Sequence, residues 1–505
     1  MSRSSPLLPP TSAPVLEPAA VADACAYVDS WWGLRRRHHR VPAVQGAVLL
    51  RGELLLESAH GTADADGRVP LTPTHRFRVA SHSKTFTAVA VLLLHQRGVL
   101  SLEDPVSRWL PAVAGGPVAD RTLAELLSHS GGVTRDSTDG DFWQLARAFP
   151  DLDGLLAAVA APADGAPSPA VLGRAERLKY SNIGYGLLGA VVAAASGGTY
   201  EAFVRRELVE PLGLARTAPD LDPADPAHAD ALAEVVTGWS ALAYADERVP
   251  VDQTGTGALA AATGFASTAS DLCRWVAAHH DGGPGPLDDV HRRLMHRTWW
   301  QDEGAPEGAQ RGGYGYGWQV TEVGARRLVG HGGGWPGHIT RTLSDPAAGL
   351  AVSVCTDTVD GPALELATGA VRLVDLAAVP PAGALERAAG ADLASFAGRW
   401  ANLWGVRDTV VLGGRLVLLT PGPDPVATAA ELDVVDDRTL RVVSGSGYDA
   451  IGETWRFERG DDGRVVTVRG SSGMTLWPAD GFAARLGGSD ARVGRGTLWR
   501  TPSAG

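Results

Sequence analysis

The sequence predicts an α/β (α+β) domain, an antiparallel sheet flanked by helices, followed by a small all-β barrel. Two observations carry this. Strand-like segments stand at both ends of the first 375 or so residues with helical segments between them, so distant parts of the chain complete one sheet covered by helices. Beyond about residue 390 the pattern changes to short alternating runs separated by Gly-Gly and Asp-Asp-Gly turns, the signature of an up-and-down barrel.

Residues 1–20, rich in Pro and Ser, are expected to be a disordered tail. The sheet domain is expected over 21–378. Within it, AVQGAVLLRGELLLESAHG (Ala43 to Gly61) reads as two strands around a turn at Arg51-Gly52. TFTAVAVLLLHQRG (Thr85 to Gly98) reads as a largely buried helix closed by glycine. LDGLLAAVAA, IGYGLLGAVVAAASGG and YEAFVRRELVEPLG read as further helices, and RRLVGHGG and LAVSVCTD, around 326–333 and 350–357, as late strands. A linker is expected at 379–390 and the barrel at 391–505, where DTVVLGGRLVLLTP and ETWRFERGDDGRVVTVRG alternate as strands do. No internal repeat of fixed period occurs.

Composition narrows the function. Apolar residues make up 45% and charged residues 20%, ordinary for a soluble globular protein. A net charge of −12 argues against a nucleic-acid partner; LRRRHHR, the one basic cluster, reads as a solvated helix end. Cys25, Cys273 and Cys355 are widely spaced, without a CxxC or a paired histidine, so neither a disulfide framework nor a zinc site is expected, and no cofactor is implied. MSRSSPLLPPTSAPVLEP lacks the apolar run of a signal peptide, and AVAVLLL falls far short of a membrane span. A soluble, cytoplasmic protein with no membrane partner is the expectation.

The chemistry begins with lysine, which is almost missing. Of 45 basic residues only Lys84 and Lys179 are lysine. Arginine does not lose its proton in a protein, whereas a buried lysine can be tuned into a general base. In ASHSKTF, Lys84 follows Ser81 by three residues at the start of a helix, which puts both side chains on one face. Ser81 would be an activated nucleophile and unprotonated Lys84 its base, with helix N–H groups favouring a developing anion. A lone Ser-x-x-Lys is weak, but in a chain with two lysines it is rare by chance. LKYSNIGYGLLGA sets Tyr180 and Asn182 in a turn before a glycine-punctuated helix, so that a phenol able to carry protons and an amide able to hold a carbonyl share one side of a cleft. The same turn also suits a helix N-cap. Lys179 stands beside this motif. In VGHGGGWPGH, the glycines after His331, Gly333 and Gly334 among them, let another backbone lie close and offer unhindered N–H groups for an oxyanion hole; a glycine-rich hairpin is the alternative.

Ser81-His-Ser-Lys84, Tyr180-Ser-Asn182 and His331-Gly-Gly333 together resemble the penicillin-recognising serine hydrolases, in order and rough separation. The group holds class C β-lactamases, D,D-carboxypeptidases, D-aminopeptidases, esterases and the penicillin-binding-protein-type thioesterases. TPTHRFRVASHSKTFTA, GVLSLEDPVSRWLP, TLAELLSHSGGV, ATGFASTASDLCRW and YGYGW are similar to its framework segments, and the resemblance runs from about residue 30 to 375. It implies a serine β-lactamase-like fold and an acyl-enzyme on Ser81. Lys84 and Tyr180 would share proton transfer, Asn182 and His331 would bind substrate, and the N–H groups of Ser81 and Gly334 would form the oxyanion hole. The last domain resembles a lipocalin-like barrel. One departure matters: β-lactamases and carboxypeptidases usually carry lysine where His331 stands, to grip a carboxylate. The resemblance therefore implies a D-stereospecific peptidase or esterase acting on peptide-like amides, esters or thioesters. The alternative is a thioesterase that macrocyclises a nonribosomal peptide delivered by a peptide-synthetase carrier protein. A β-lactamase, a D,D-carboxypeptidase or an inactive binding protein on the same scaffold are the remaining readings.

Overall fold

The computed structural model sets eight strands in one antiparallel sheet. They are β1 (Ala43–Leu50), β2 (Glu53–Gly61), β3 (Trp300–Gln301), β4 (Gly313–Tyr314), β5 (Gln319–Val323), β6 (Arg326–Trp335), β7 (His338–Asp345) and β8 (Leu350–Thr356), in the order β2-β1-β8-β7-β6-β5-β4-β3. The chain is described over residues 12–161, 167–301, 312–379, 392–445, 450–486 and Leu498. Residues 1–11 of the expected tail, the linker beyond residue 379, and 487–497 and 499–505 of the expected barrel domain lie outside these.

The early and late strands meet as their patterns require. Arg51 (φ 50°) and Gly52 (φ 89°) both take positive φ, the two-residue turn whose twist suits a hairpin between β1 and β2. β1 and β8 pair along their length and are buried at every residue, which accounts for their continuous apolar runs. β5 pairs with β6 only as far as Gln319 opposite Gly330, so from His331 onward β6 has an open edge on that side.

The helices follow from equally simple patterns. α1 spans Pro18–His38 and α2 spans Ser83–Gln96. α2 is buried at every residue from Ser83 to Leu94, its polar Ser83, Lys84, Thr85 and Thr87 included; Phe86 stacks between Trp275 (3.8 Å between ring centroids) and Phe265 (4.4 Å). α3 (Asn182–Ser196) starts on Ser181, whose side chain accepts the Gly184 N–H at 2.8 Å, and ends at Gly197 in the left-handed conformation. The N-cap reading of the Tyr180 turn is therefore correct, and the cap is Ser181. A Cβ at Gly189 would stand 2.5 Å from that of Ala261, so glycine lets α3 lie directly on the segment that carries Ala262. α4 (Ala269–Ala277), capped by Thr268, packs on β1 and β8.

By packing the chain divides into two units, Arg36–Thr368 and the residues up to Arg35 together with those from Gly369 on. The boundaries differ from the expected 21–378. The helix starts at Pro18, inside the expected tail. Its residues up to Arg35, and those of α5 (Ala363–Ala378) from Gly369 on, join the second unit. The reason is visible in the contacts: Tyr27 donates to Asp408 (2.8 Å), the Trp31 indole N–H donates to the Gly422 carbonyl (3.1 Å), and Gly369 leaves room for the Trp31 ring. The second unit holds a closed antiparallel barrel of eight strands from Gly398 to Pro478, filled by side chains including Trp400, Leu440, Trp455 and Phe457. In the basic cluster Arg35 is buried and Arg36 turns inward to the Val41 and Pro42 carbonyls, so that helix end is only partly solvated.

Candidate active site

Ser81 lies on one turn of 3₁₀ helix, Ala80–His82, that leads directly into α2. Ala80 is held at φ +44°, a left-handed conformation that costs a non-glycine residue about 1–2 kcal/mol. Its surroundings fix it there: the Ser83 hydroxyl donates to the Ala80 carbonyl (2.6 Å) and accepts the Phe265 N–H (3.1 Å). His82 underpins the turn, with Nδ1 3.0 Å from the Val79 carbonyl and Nε2 2.9 Å from Thr342 Oγ1; burial pushes it down to about 3, so it is neutral.

The structure brings Ser81, Lys84, Tyr180 and Asn182 together. Lys84 is fully buried, and its Nζ sits 2.7 Å from Asn182 Oδ1, 2.8 Å from the Ala262 carbonyl and 3.3 Å from Ser81 Oγ. Two of these partners only accept. A neutral amine has two protons for them and one lone pair left, which faces the Ser81 hydroxyl. Burial holds the Lys84 amine well below its usual range, against the opposing pull of the Asp136 carboxylate. Tyr180 donates to Ser81 Oγ at 2.9 Å, and burial raises its phenol, so it keeps its proton.

Asp136 has no sequence signal, yet it organises the group. Its Oδ1 accepts from Asn182 Nδ2 (2.6 Å) and from the Trp143 indole (2.9 Å), and its Oδ2 pairs with Arg135 (3.0 Å). Because a carboxylate only accepts, it fixes the Asn182 amide with Oδ1 toward Lys84. Lys179 lies beside the cluster, with its N–H on the His129 carbonyl (2.7 Å).

The third motif lies along the open edge of β6. A Cβ on Gly333 would fall 2.1 Å from the Val79 carbonyl and 2.5 Å from Thr340 Oγ1, so only glycine lets this strand reach the Ser81 turn. Gly334 is exposed beside it. His331 is placed differently from a substrate-binding residue. It is 1% exposed, its Nε2 is 3.0 Å from the Tyr314 hydroxyl and its Nδ1 is 2.6 Å from the Gly332 carbonyl. Both ring nitrogens are thus engaged within the protein, and burial keeps the ring neutral. Past Gly334 opens a cleft of about 1000 Å³, walled by Trp143, Tyr244, Gln253, Trp335 and Ile339. Among the described residues no group of three or more His, Cys, Asp or Glu is placed to hold a metal. Tyr314 and Ala262 were visible within YGYGW and ATGFASTASDLCRW; Asp136 and Trp143 carry no such local pattern.

Comparison with known proteins bears on the family and the fold. The family model described as Beta-lactamase matches residues 25–376. Penicillin-binding protein 4* of Bacillus subtilis (strain 168) is 28% identical over 302 residues, 58% of this chain and 63% of that protein, so the match spans less than two thirds of the relative's length. The crystal structure of SurE superposes with a TM-score of 0.57 at 26% identity, covering 91% of this chain and 99% of SurE; a second structure holds SurE with D-Leu, at 25% identity, a TM-score of 0.56, and 92% and 100% coverage. The D-amino acid amidase from Ochrobactrum anthropi SV3 shares the fold, with a TM-score of 0.53 at 24% identity over 69% of this chain and 98% of its own.

Proposed function

Because this chain belongs to the beta-lactamase family of serine hydrolases, we propose that it forms an acyl-enzyme on Ser81 from a peptide-like amide, ester or thioester with a D-configured residue at the scissile carbonyl. The observation that carries this reading is the triangle of Ser81 Oγ, the Lys84 lone pair at 3.3 Å and the Tyr180 hydroxyl at 2.9 Å. Lys84 takes the Ser81 proton as Oγ bonds to the carbonyl carbon. The oxyanion rests on the N–H groups of Ser81 and Gly334. When the bond to the leaving amine, alcohol or thiol breaks, the proton returns to that group through Tyr180, and water or an amine then releases the acyl group by the reverse sequence. Asn182 holds Lys84 and presents a polar edge to the acyl part, which extends into the cleft past Gly334. The D-Leu bound by SurE supports the choice of configuration.

A second reading is aminolysis by the substrate's own amine, which closes a ring, with a carrier protein delivering the acyl chain. It is supported by the single barrel that follows the catalytic domain, a layout the thioesterase-type arrangement shares. The neutral, engaged His331 weakens a β-lactamase reading in which that position grips a carboxylate. The test is covalent labelling by a serine-directed phosphonate, followed by intact-protein mass. Ser81→Ala is expected to take up no adduct and lose p-nitrophenyl ester turnover, and Lys84→Arg, which replaces the neutral base by a permanent cation, to fall in kcat by at least about 100-fold. An adduct that persists on Ser81→Ala overturns the assignment.

A further inference from the structure

The segment from Asp136 to Phe149 is a wall with open space on both sides. Its ends are tied down: the Arg135 carbonyl accepts the Asn182 and Ile183 N–H groups (2.9 and 3.2 Å), and the Pro150 carbonyl accepts that of Ala258 (2.9 Å). Between these ties one face borders the cleft past Gly334, and the other borders a second cavity of about 200 Å³ that reaches Phe142 and Ile183. Protein interiors are ordinarily close-packed, so a segment with room before and behind it is free to shift. Ser137 (φ 73°) and Leu145 (φ 57°), one on each side of Trp143, hold left-handed conformations that non-glycine residues rarely take.

Trp143 is where this wall meets the chemistry. Its ring borders the cleft and packs edge-on against Phe149 (5.2 Å between centroids) and Trp335 (6.0 Å), while its indole N–H reaches Asp136 Oδ1 (2.9 Å). The same oxygen accepts from Asn182 Nδ2 (2.6 Å), and Asn182 Oδ1 accepts from Lys84 Nζ (2.7 Å). Three hydrogen bonds therefore run from the cleft wall to the base. Trp335 and Ile339 extend the apolar surface that Trp143 begins. An acyl side chain packed on that surface presses the indole from the cleft side and fixes it where its N–H meets Asp136.

We propose that Trp143 carries occupancy of the cleft to Lys84 through Asp136 and Asn182, so that the preferred acyl groups are those whose D-configured residue bears an aromatic or large apolar side chain, and the preference falls on kcat. Binding energy that is realised as orientation of a catalytic group raises kcat rather than lowering KM. This proposal rests on the acyl-enzyme reading of Ser81. The indole N–H also takes up part of the Asp136 charge. Without it the carboxylate acts more strongly on Lys84, and a stronger neighbouring anion raises an amine's pKa. The other titratable groups about Lys84 are Arg135, His129, Tyr180, Tyr185 and His331, and a change at Trp143 leaves all of them in place.

The experiment compares the ethyl thioesters of N-acetyl-D-phenylalanine and N-acetyl-D-alanine, followed by thiol release. The wild type is expected to turn over the phenylalanyl compound with a kcat at least about 10-fold higher. Trp143→Phe keeps an aromatic face and deletes the N–H. It should leave KM for that compound within about threefold, lower its kcat by about 10-fold, and move the acid limb of the kcat/KM profile to higher pH. In an Asp136→Asn background, which has no carboxylate to unmask, the same substitution should leave the limb where it is. Equal kcat for the two compounds in the wild type overturns the proposal. So does a limb that Trp143→Phe fails to raise, or raises equally in both backgrounds. In each of these cases acylation of Ser81, read by intact mass, still supports the acyl-enzyme. If neither compound acylates Ser81, the acyl-enzyme reading fails and the coupling with it.

Discussion

At the scale of single residues, the chemistry turns on how many protons surround Lys84. Its two obligate acceptors leave the lone pair for Ser81, and Asp136 controls one acceptor by orienting Asn182. Asn at 136 retains a carbonyl oxygen for Asn182 and Trp143 but removes the charge that favours protonated Lys84. Asp136→Asn is therefore expected to shift the acid limb of the kcat/KM profile to lower pH, since losing a neighbouring anion lowers an amine's pKa. Asp136→Ala, which frees the Asn182 amide as well, should lower kcat by about tenfold or more. A profile identical to wild type in both variants would show that Asp136 only ties down its loop. Ser81, Lys84, Tyr180 and Asn182 were legible because their types are unusual or ordered along the chain. Asp136 was not, because its contribution is made across a loop, in space rather than in sequence.

At the scale of elements, the glycine run of β6 is not uniform. Gly333 faces the Val79 carbonyl at a distance no Cβ tolerates, while a Cβ at Gly334 meets only Ile339 Cδ1 at 3.6 Å. Gly333→Ala should push the strand off the Ser81 turn, lowering the melting temperature by several degrees and esterase activity by about 100-fold, the usual result of displacing a catalytic group by an ångström. Gly334→Ala should leave the melting temperature within about 1 °C. Differential scanning calorimetry and ester hydrolysis check both, and equal melting temperatures would mean that the close approach is not needed. The sequence showed that some glycine here permits close packing. Which one it is depends on the register of β6 against the turn, and register is a property of the assembled sheet.

For the whole molecule, histidine is confined to one unit. All fourteen lie between residues 38 and 338, and none lies from Gly369 on. Burial pushes His82, His296 and His338 down to about 3, and His279 and His280 to about 4. The unfolded chain takes up protons near pH 6.5, well before these folded sites do. Their contribution is therefore complete above that pH and lost as pH falls toward 4, at up to about 1.4 kcal/mol per group per pH unit. The loss grows as pH falls through that window, and all five sites lie in the Arg36–Thr368 unit. The Arg36–Thr368 unit should lose hydrogen-exchange protection between pH 6 and 5 while the barrel keeps its own. Simultaneous loss in both, or none at pH 5, would contradict this. The sheet and barrel were legible from periodicity, because strand and helix repeats are local. The two-unit boundary was not, because α1 and α5 are assigned by what they touch.

The burial of its few reactive side chains leaves this protein chemically quiet on the outside. Cys25, Cys273 and Cys355 are all buried and unpaired, Lys84 is sealed inside, and Lys179 is half-buried. Reagents directed at thiols or amines thus find scarcely a target among the described residues. One cysteine placed on an exposed loop becomes a unique handle for a fluorophore, a surface tether or a cross-linker, with no native residue to be removed first.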